Sequence, residues 1–346
     1  MKYNVDKKYL MDVFKRIICV PSPTGYYVKL NPVLEELAGE LSYSITYDNK
    51  KTAYITVDGE DNSETVLFGA HADTIGMVVS HIDTEGKIHV RTLGGVNIIG
   101  AESSHVTVIT RDGREYTGTL YCKTHSTHAF ADARETERSE DNMMVLIDED
   151  VSSMEDVRKL GIRNGDYIAF DPNFRMTENG YIKSRFIDDK GAIACAFAML
   201  RYLSENKLKP KRRTVFAFPY YEELGAGGVW LPEGVTEYIA VDIGLVAPYL
   251  DGNEKSVTIC AKDVNGPYDY ELTSKLIECA EKAECDYAVD VFLRYSTDAN
   301  AAFKAGNNIR HAAFGMAVYG SHSMERTHIN GLLNTANLML AYSLGI

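Results

Sequence analysis

The stretch TVLFGAHADTIGMVVSHI, residues 65–82, changes its hydrophobic pattern halfway along, and that change decides the fold. Its first part, Thr65-Val66-Leu67-Phe68-Gly69-Ala70, is a continuous apolar run. Such a run is the mark of a strand buried on both faces of an α/β layer. Past Asp73 the texture becomes one of short alternating strands, beginning at 77–82, as in an antiparallel sheet with one wet face.

Upstream of this switch the chain reads as helix and strand in turn. Residues 5–18 set Val5, Leu10, Val13, Phe14, Ile17 and Ile18 on one helical face, and PSPTG (21–25) stops that helix. A second helix is predicted over about 27–41, then strands at 44–48 and 52–57. Downstream, strands at 87–91, 105–110, 115–121, 142–147 and 166–170 are separated by turn pairs such as Glu85-Gly86, Asp112-Gly113 and Asn164-Gly165. A short helix near 153–160 carries an expected capping box, Ser152 with Glu155. The mixed-charge segment ADARETERSED (131–141) reads as a solvated loop.

After about 175 the α/β pattern returns. Helices are predicted at 189–204, 269–284, 298–305 and 330–343, and strands at 213–218, 237–242, 256–261, 287–293 and 310–318. The expected fold class is therefore α/β. One α/β domain, 1–75 with 174–346, has a central mixed sheet flanked by helices and is interrupted by an inserted small β-barrel domain, 76–173, whose strand pattern a sandwich would also fit.

Composition excludes more than it selects. With 346 residues, 45% apolar and 25% charged, the chain reads as an ordinary globular protein, long for one compact domain. A net charge of −13 argues against nucleic acid or an anionic membrane as the main partner. The six cysteines form no CxxC and several fall in apolar runs, as reduced buried thiols do. The opening MKYNVDKKYLMDVFKRIICV lacks the apolar core of a signal peptide, and no apolar run reaches membrane-spanning length. A cytoplasmic location is expected.

Candidate functional residues gather where apolar runs end. His71 closes the run 65–70, with Asp73 two positions on. SRFIDDKGA (184–192) puts Asp188 after the apolar Phe186-Ile187. FPYYEELGAGG (218–228) sets Glu222 beside Glu223, Asp242 closes Tyr238-Ile239-Ala240-Val241, and His322 follows the apolar segment 312–319. Each has a bland reading. A His-x-Asp at a strand end is commonly structural, and acids at a helix start are explained by capping and the macrodipole. Together they are harder to dismiss, because the ligand crevice of an open α/β sheet lies at the C-terminal ends of its strands. Two histidines with several carboxylates suit Zn²⁺, Co²⁺ or Mn²⁺, and one Asp can bridge two ions about 3.5–4 Å apart.

HADTIG (71–76), FIDDKGA (186–192), EELGAGG (222–228), IAVDIG (239–244), STDANA (296–301) and GSHSMERTH (320–328) occur in the order found in the tetrahedral-aminopeptidase family, with its glutamyl, leucyl and deblocking enzymes. The chain resembles that family over nearly its whole length. The resemblance implies two divalent metal ions, His71 and Asp242 on one, Glu223 and His322 on the other, and Asp188 between them. It implies Glu222 as the general base toward the attacking water and Asp73 as the residue orienting His71. Asp298 is a candidate for holding the substrate's free amine, with helix capping as its alternative. The implied activity is release of N-terminal residues from short peptides. The implied assembly is a homo-oligomer in which the inserted domains pair chains into dimers and the dimers build a tetrahedral particle.

Three departures from the family pattern stand out: Asp189-Lys190, Tyr220-Tyr221, and Thr124-His125-Ser126-Thr127-His128. The first two are placed to alter either the residues that support the metal ligands or the substrate pocket, and the roles of His125 and His128 stay open. Two other functions fit the same residues less fully. A metal-dependent deacylase or carboxypeptidase would use similar ligands, and a non-catalytic scaffold would bind no metal.

Overall fold

The computed structural model describes residues 2–346. Helices α1 (Lys7–Ile18) and α2 (Leu30–Glu40) open the chain. Asp6 caps α1, its carboxylate accepting from the backbone N–H groups of Lys8 and Tyr9 at 2.8 and 3.0 Å. Strands β1 (Thr46–Tyr47), β2 (Ala53–Val57) and β3 (Asp61–Gly69) follow, and β3 contains the apolar run that ends near His71.

The texture change after Asp73 is a closed barrel. Its strands are β4 (Gly76–Ile82), β5 (Ile88–Leu93), β6 (His105–Ile109), β7 (Glu115–Cys122), β8 (Met143–Ile147) and β9 (Tyr167–Phe170), arranged β4-β5-β8-β7-β6-β9. Every pairing is antiparallel, and β9 closes the ring on β4. Two short helices, α3 (Ile98–Ala101) and α4 (Met154–Lys159), lie within this segment. The cap of α4 is one position later than expected. Ser153 Oγ, not Ser152, accepts from Asp156 N at 3.2 Å, and the Asp156 carboxylate accepts in return from Ser152 N at 3.3 Å. The aspartate plays the part foreseen for Glu155.

The chain then forms β10 (Arg175–Met176), β11 (Tyr181–Ser184), α5 (Ile187–Glu205), β12 (Arg212–Phe218), β13 (Val235–Val241), β14 (Gly244–Leu245) and β15 (Val257–Asp263). It ends with β16 (Gly266–Pro267), α6 (Tyr270–Lys282), β17 (Tyr287–Val291), α7 (Asp298–Lys304), β18 (Arg310–Val318), β19 (Glu325–His328) and α8 (Ile329–Leu344). The main sheet runs β1-β2-β12-β3-β13-β18-β15-β16, with β14 paired to β18 and β17 to β15. Its centre, β12-β3-β13-β18, is parallel, while β2 and β15 run antiparallel to their central neighbours. The sheet is mixed, as expected.

Period-two alternation divides the core into two layers. Val66, Phe68, Phe216, Phe218, Ile239 and Val241 face one way, into the large core that also holds buried residues of α1, α5, α6 and α8. Leu67, Val215, Ala217, Tyr238 and Ala240 face the other way, onto Ala299 and Ala302 of α7. Central strands buried on both faces leave only their ends accessible. The shared C-terminal edge of β3, β12, β13 and β18 is where the polar residues appear.

A feature not anticipated from sequence completes the frame. β10, β11 and β19 form a separate three-stranded antiparallel sheet. Its register sets Ser184 opposite Glu325, tying the lead-in to α5 to the segment just after His322.

Candidate active site

The candidate residues sit in the turns that follow the core strands or at a helix start. His71 and Asp73 follow β3, Glu222 and Glu223 follow β12, Asp242 follows β13, and His322 lies in the loop between β18 and β19. Asp188 stands at the start of α5, where Asp188 and Asp189 depart from helical dihedrals. After β12 the chain tightens into a 3₁₀ turn over Glu222–Leu224, and this turn brings neighbouring glutamates to one cleft. The turn is closed by Gly225 at φ 67°, a left-handed conformation that glycine adopts without strain. Two residues on, Gly227 lies so close to Asp298 that a Cβ there would meet its Oδ2 at 2.1 Å.

Distances bring five of the predicted residues into one cluster. His71 Nε2 lies 2.9 Å from Asp188 Oδ1 and 3.9 Å from Glu222 Oε2. His322 Nε2 lies 3.5 Å from Asp188 Oδ2 and 3.4 Å from Glu223 Oε2. The two oxygens of Asp188 therefore face two different histidines. Donor atoms of His71, Asp188 and Glu223 lie within 4.8 Å of one another, as do those of Asp188, Asp189 and Asp242.

The opposite nitrogen of each histidine fixes its tautomer. His71 Nδ1 donates to the Asp73 carbonyl at 2.9 Å, and His322 Nδ1 donates to the Gly95 carbonyl at 2.8 Å. A carbonyl only accepts, so Nδ1 must carry the proton, and Nε2 is left to face the carboxylates. Metal-binding histidines are held in this way. Asp73 meets His71 through this backbone carbonyl, while its Oδ1 lies farther off, 3.6 Å from Nδ1. Its carboxylate, wholly buried, accepts from the backbone of Glu222 at 3.2 Å, of Glu223 at 3.3 Å, and from Thr24 Oγ1 at 2.9 Å.

The electrostatics ask for a cation. Burial pushes Glu223 up to about 8, and burial with the nearby Asp188 pushes Asp242 up to about 7. Burial also raises Glu222 well above the usual carboxylate range. Burial alone would lower the histidines, but hydrogen bonding to Asp188 raises His71 well above its usual value, and Asp188 with Glu223 brings His322 up to about 10. Each buried ion left uncompensated costs several kcal/mol. Imidazole nitrogens and carboxylate oxygens in this number suit a borderline divalent ion, and the donor set fits such a group.

Other expected residues lie elsewhere. Asp298 is buried and does not line the cleft; its Oδ1 accepts from Gly228 N at 2.8 Å, while Oδ2 has no hydrogen-bond partner among the described residues. It does not cap its own helix, for Thr297 occupies that position. Tyr220 is fully buried with its hydroxyl on Asn31 at 2.7 Å, and neither it nor Tyr221 lines the cleft. Lys190 is buried too, donating to the Val20 carbonyl at 2.6 Å. His125 and His128 are exposed on the barrel loop, where His125 packs against Tyr121 and Phe130.

One buried acid, Glu325, was missed, and another, Asp189, was noted only as a departure from the family pattern. Glu325 Oε2 accepts from Asp188 N at 3.1 Å, and Asp189 Oδ2 accepts from His71 N at 3.1 Å. Glu325 lies inside the quoted GSHSMERTH motif, so the motif contained the signal even though position alone gave it no role. The cleft, about 760 Å³, is walled by Asp188, Glu222, Glu223, Asp242 and His322, with Gly95 and Asn97 reaching in from the barrel segment.

Histidines and acids at the C-terminal edge of a mixed sheet, with a closed barrel inserted after one of its central strands, define a class of α/β peptidases. The chain belongs to the M42 glutamyl aminopeptidase family, whose profile matches residues 52–338. It is 35% identical over 333 residues to "Putative aminopeptidase YhfE" of Bacillus subtilis, covering 96% of each chain. Two solved structures share its fold. The TET aminopeptidase from a marine sediment Thaumarchaeota archaeon superimposes with a TM-score of 0.87 at 17% identity, over 97% of both chains. The TET1 peptidase of Pyrococcus horikoshii, described as assembling into a tetrahedron or a large octahedral shell, gives 0.84 at 22% identity, over 97% of this chain and all of that one.

Proposed function

We propose that this chain is a dinuclear metal-dependent aminopeptidase that releases N-terminal residues from short peptides. The observation that carries the reading is the placement of Asp188, whose Oδ1 faces His71 and Oδ2 faces His322. Each histidine is locked on the far side to a carbonyl. In this assignment His71 and Asp242 hold one ion, Glu223 and His322 the other, and Asp188 is shared. Zn²⁺ or Co²⁺ suits the donors best, with Mn²⁺ also compatible. Bound there, the ions supply Lewis acidity, lowering the pKa of the attacking water and polarising the scissile carbonyl.

Glu222 is the general base. Its side chain lines the cleft, and its backbone N–H is pinned to Asp73, which fixes the carboxylate's approach. Burial favours its protonated form, so it can hold a proton taken from water and return it to the leaving amine. Asp73 orients His71 and the turn carrying both glutamates. Asp298 braces the glycine turn through Gly228 N, a role that fits its burial better than direct contact with the substrate amine.

The unit 1–75 with 174–346 carries this chemistry, and 76–173 serves assembly. Shell formation by the Pyrococcus relative supports a homo-oligomer here, dimers joining into a tetrahedral particle. Among the described residues no helix is long and apolar enough to cross a membrane. We take the location to be cytoplasmic, and the net charge of −13 argues against nucleic acid or an anionic membrane as partner.

The test is a panel of aminoacyl-anilides offered to protein reconstituted with Zn²⁺ or Co²⁺, beside Glu222→Gln. Turnover in the wild type and a loss of roughly 10²–10⁴-fold in Glu222→Gln, with metal retained, are expected. Near-wild-type turnover in Glu222→Gln removes it as the base.

A further inference from the structure

The lining of the cleft includes one charged side chain that the proposed chemistry does not use. Arg294 lines the cleft and is exposed to it. No other lysine or arginine lines the same space. Two other basic residues, both in the SRFIDDKGA motif, are committed elsewhere. Lys190 is buried on the Val20 carbonyl, and the Arg185 guanidinium donates to the Gly100 carbonyl and Ser104 Oγ, both at 2.8 Å.

Arg294 forms no ion pair or hydrogen bond among the described residues, although Asp188, Glu222, Glu223 and Asp242 line the same cleft. Its backbone, by contrast, is fixed on both sides. Phe292 is buried, and the Tyr295 carbonyl accepts from Val264 N at 3.2 Å. Ser296 Oγ accepts from Asn265 Nδ2 at 2.6 Å, and Thr297 Oγ1 bonds the Tyr268 hydroxyl at 2.9 Å. A guanidinium on a loop anchored at both ends, lining a cleft and bonded to no protein group, is a fork of donors open to a planar acceptor. Arginine matches a carboxylate in two parallel hydrogen bonds, a geometry lysine cannot reproduce.

We propose that Arg294 is the specificity residue of this cleft and recognises a carboxylate on the peptide substrate. The proposal rests on the aminopeptidase reading for the identity of the cleft. Two carboxylates of a short peptide offer this chemistry: the side chain of an acidic N-terminal residue, and the terminal carboxylate of a di- or tripeptide. Either bond is charge-assisted and partly desolvated in the cleft, so its loss corresponds to about a 10–100-fold fall in selectivity.

The experiment compares metal-loaded wild type, Arg294→Gln and Arg294→Glu. Substrates are the Glu-, Leu- and Lys-anilides, and Leu-Leu beside its C-terminal amide. If the acidic side chain is the ligand, the Glu-to-Leu ratio of kcat/KM falls at least tenfold in Arg294→Gln, and Arg294→Glu shifts preference toward the Lys-anilide. If the terminal carboxylate is the ligand, the preference for Leu-Leu over its amide falls at least tenfold instead. Both ratios staying within threefold of wild type overturns the proposal. Absence of turnover on the whole panel by wild type defeats the aminopeptidase reading, not this one. Calorimetric titration of glutamate against glutamine, and of Leu-Leu against its amide, then decides Arg294. A tenfold loss of discrimination in Arg294→Gln supports it, and equal discrimination overturns it.

Discussion

Glu222 and Glu223 share a cleft because β12 ends at Phe218 and the chain then turns into a 3₁₀ loop. In a continuing strand they would point to opposite faces. Their different surroundings allow different work. Glu223 approaches His322 at 3.4 Å, inside the donor cluster, while Glu222 stands 3.9 Å from His71 and borders the open cleft. Removing Glu223 as Glu223→Ala is expected to lower the metal content from two ions per chain to one, read by elemental analysis after dialysis. Retention of both ions would move the second site away from Glu223. The sequence made these residues visible because acids rarely end apolar strands without a reason. It could not show that Asp73 would grip the backbone of both glutamates, since that contact joins segments about 150 residues apart.

Among the elements, β13 shows how one strand serves stability at one end and chemistry at the other. Glu237, near its start, is 1% exposed and bonds Arg212 at 2.7 Å, with Arg310 and the Tyr342 hydroxyl as further partners. Asp242, just past its end, faces the cleft. Burial by itself would raise Glu237, but Arg212 and Tyr342 outweigh it and hold the group below its usual value. A depressed carboxyl stabilises the fold above its unfolded pKa and loses that contribution as pH falls through the folded value. Glu237→Gln is expected to cost about 1–3 kcal/mol near neutrality, discounted for the partial exposure of both arginines. In urea melts that deficit should shrink below about pH 4.5, near the unfolded pKa. A deficit unchanged down to pH 3.5 would show that packing, not charge, accounts for it.

The small sheet of β10, β11 and β19 acts on the site through one of its edge strands. It places Glu325 so that Oε2 holds Asp188 N, and so sets the shared carboxylate between the histidines. Glu325→Ala is expected to weaken metal binding about 10–100-fold, while Glu325→Gln, which keeps an acceptor oxygen, restores most of it. Equal loss in both would mean that the charge of Glu325, not its hydrogen bond, matters. Strands this short carry too little alternation to read, and their pairing joins residues more than 140 positions apart.

For the whole molecule, the barrel is the part to which the proposed function assigns assembly. It contributes the Gly95 carbonyl to His322, yet most of its bulk stands away from the cleft. Light scattering on purified protein is expected to report a homo-oligomer, and deletion of the barrel strands to leave smaller species. A monomer across the micromolar range would rule out the assembly role. The switch in texture after residue 73 announced this architecture, because a sheet buried on both faces and one wetted on a single face impose different periods on the sequence.

What the sequence determined by itself was the alternation of layers, the insertion of a β unit, and the positions where acids and histidines end buried strands. All of these follow from local periodicity, which the chain carries residue by residue. The tertiary structure alone decided that Asp188 faces both histidines, that Lys190, Tyr220 and Asp298 are turned away from the cleft, and that Arg294 enters it. Side-chain direction at a strand end depends on turns and on partners brought from distant segments, and no local pattern encodes those.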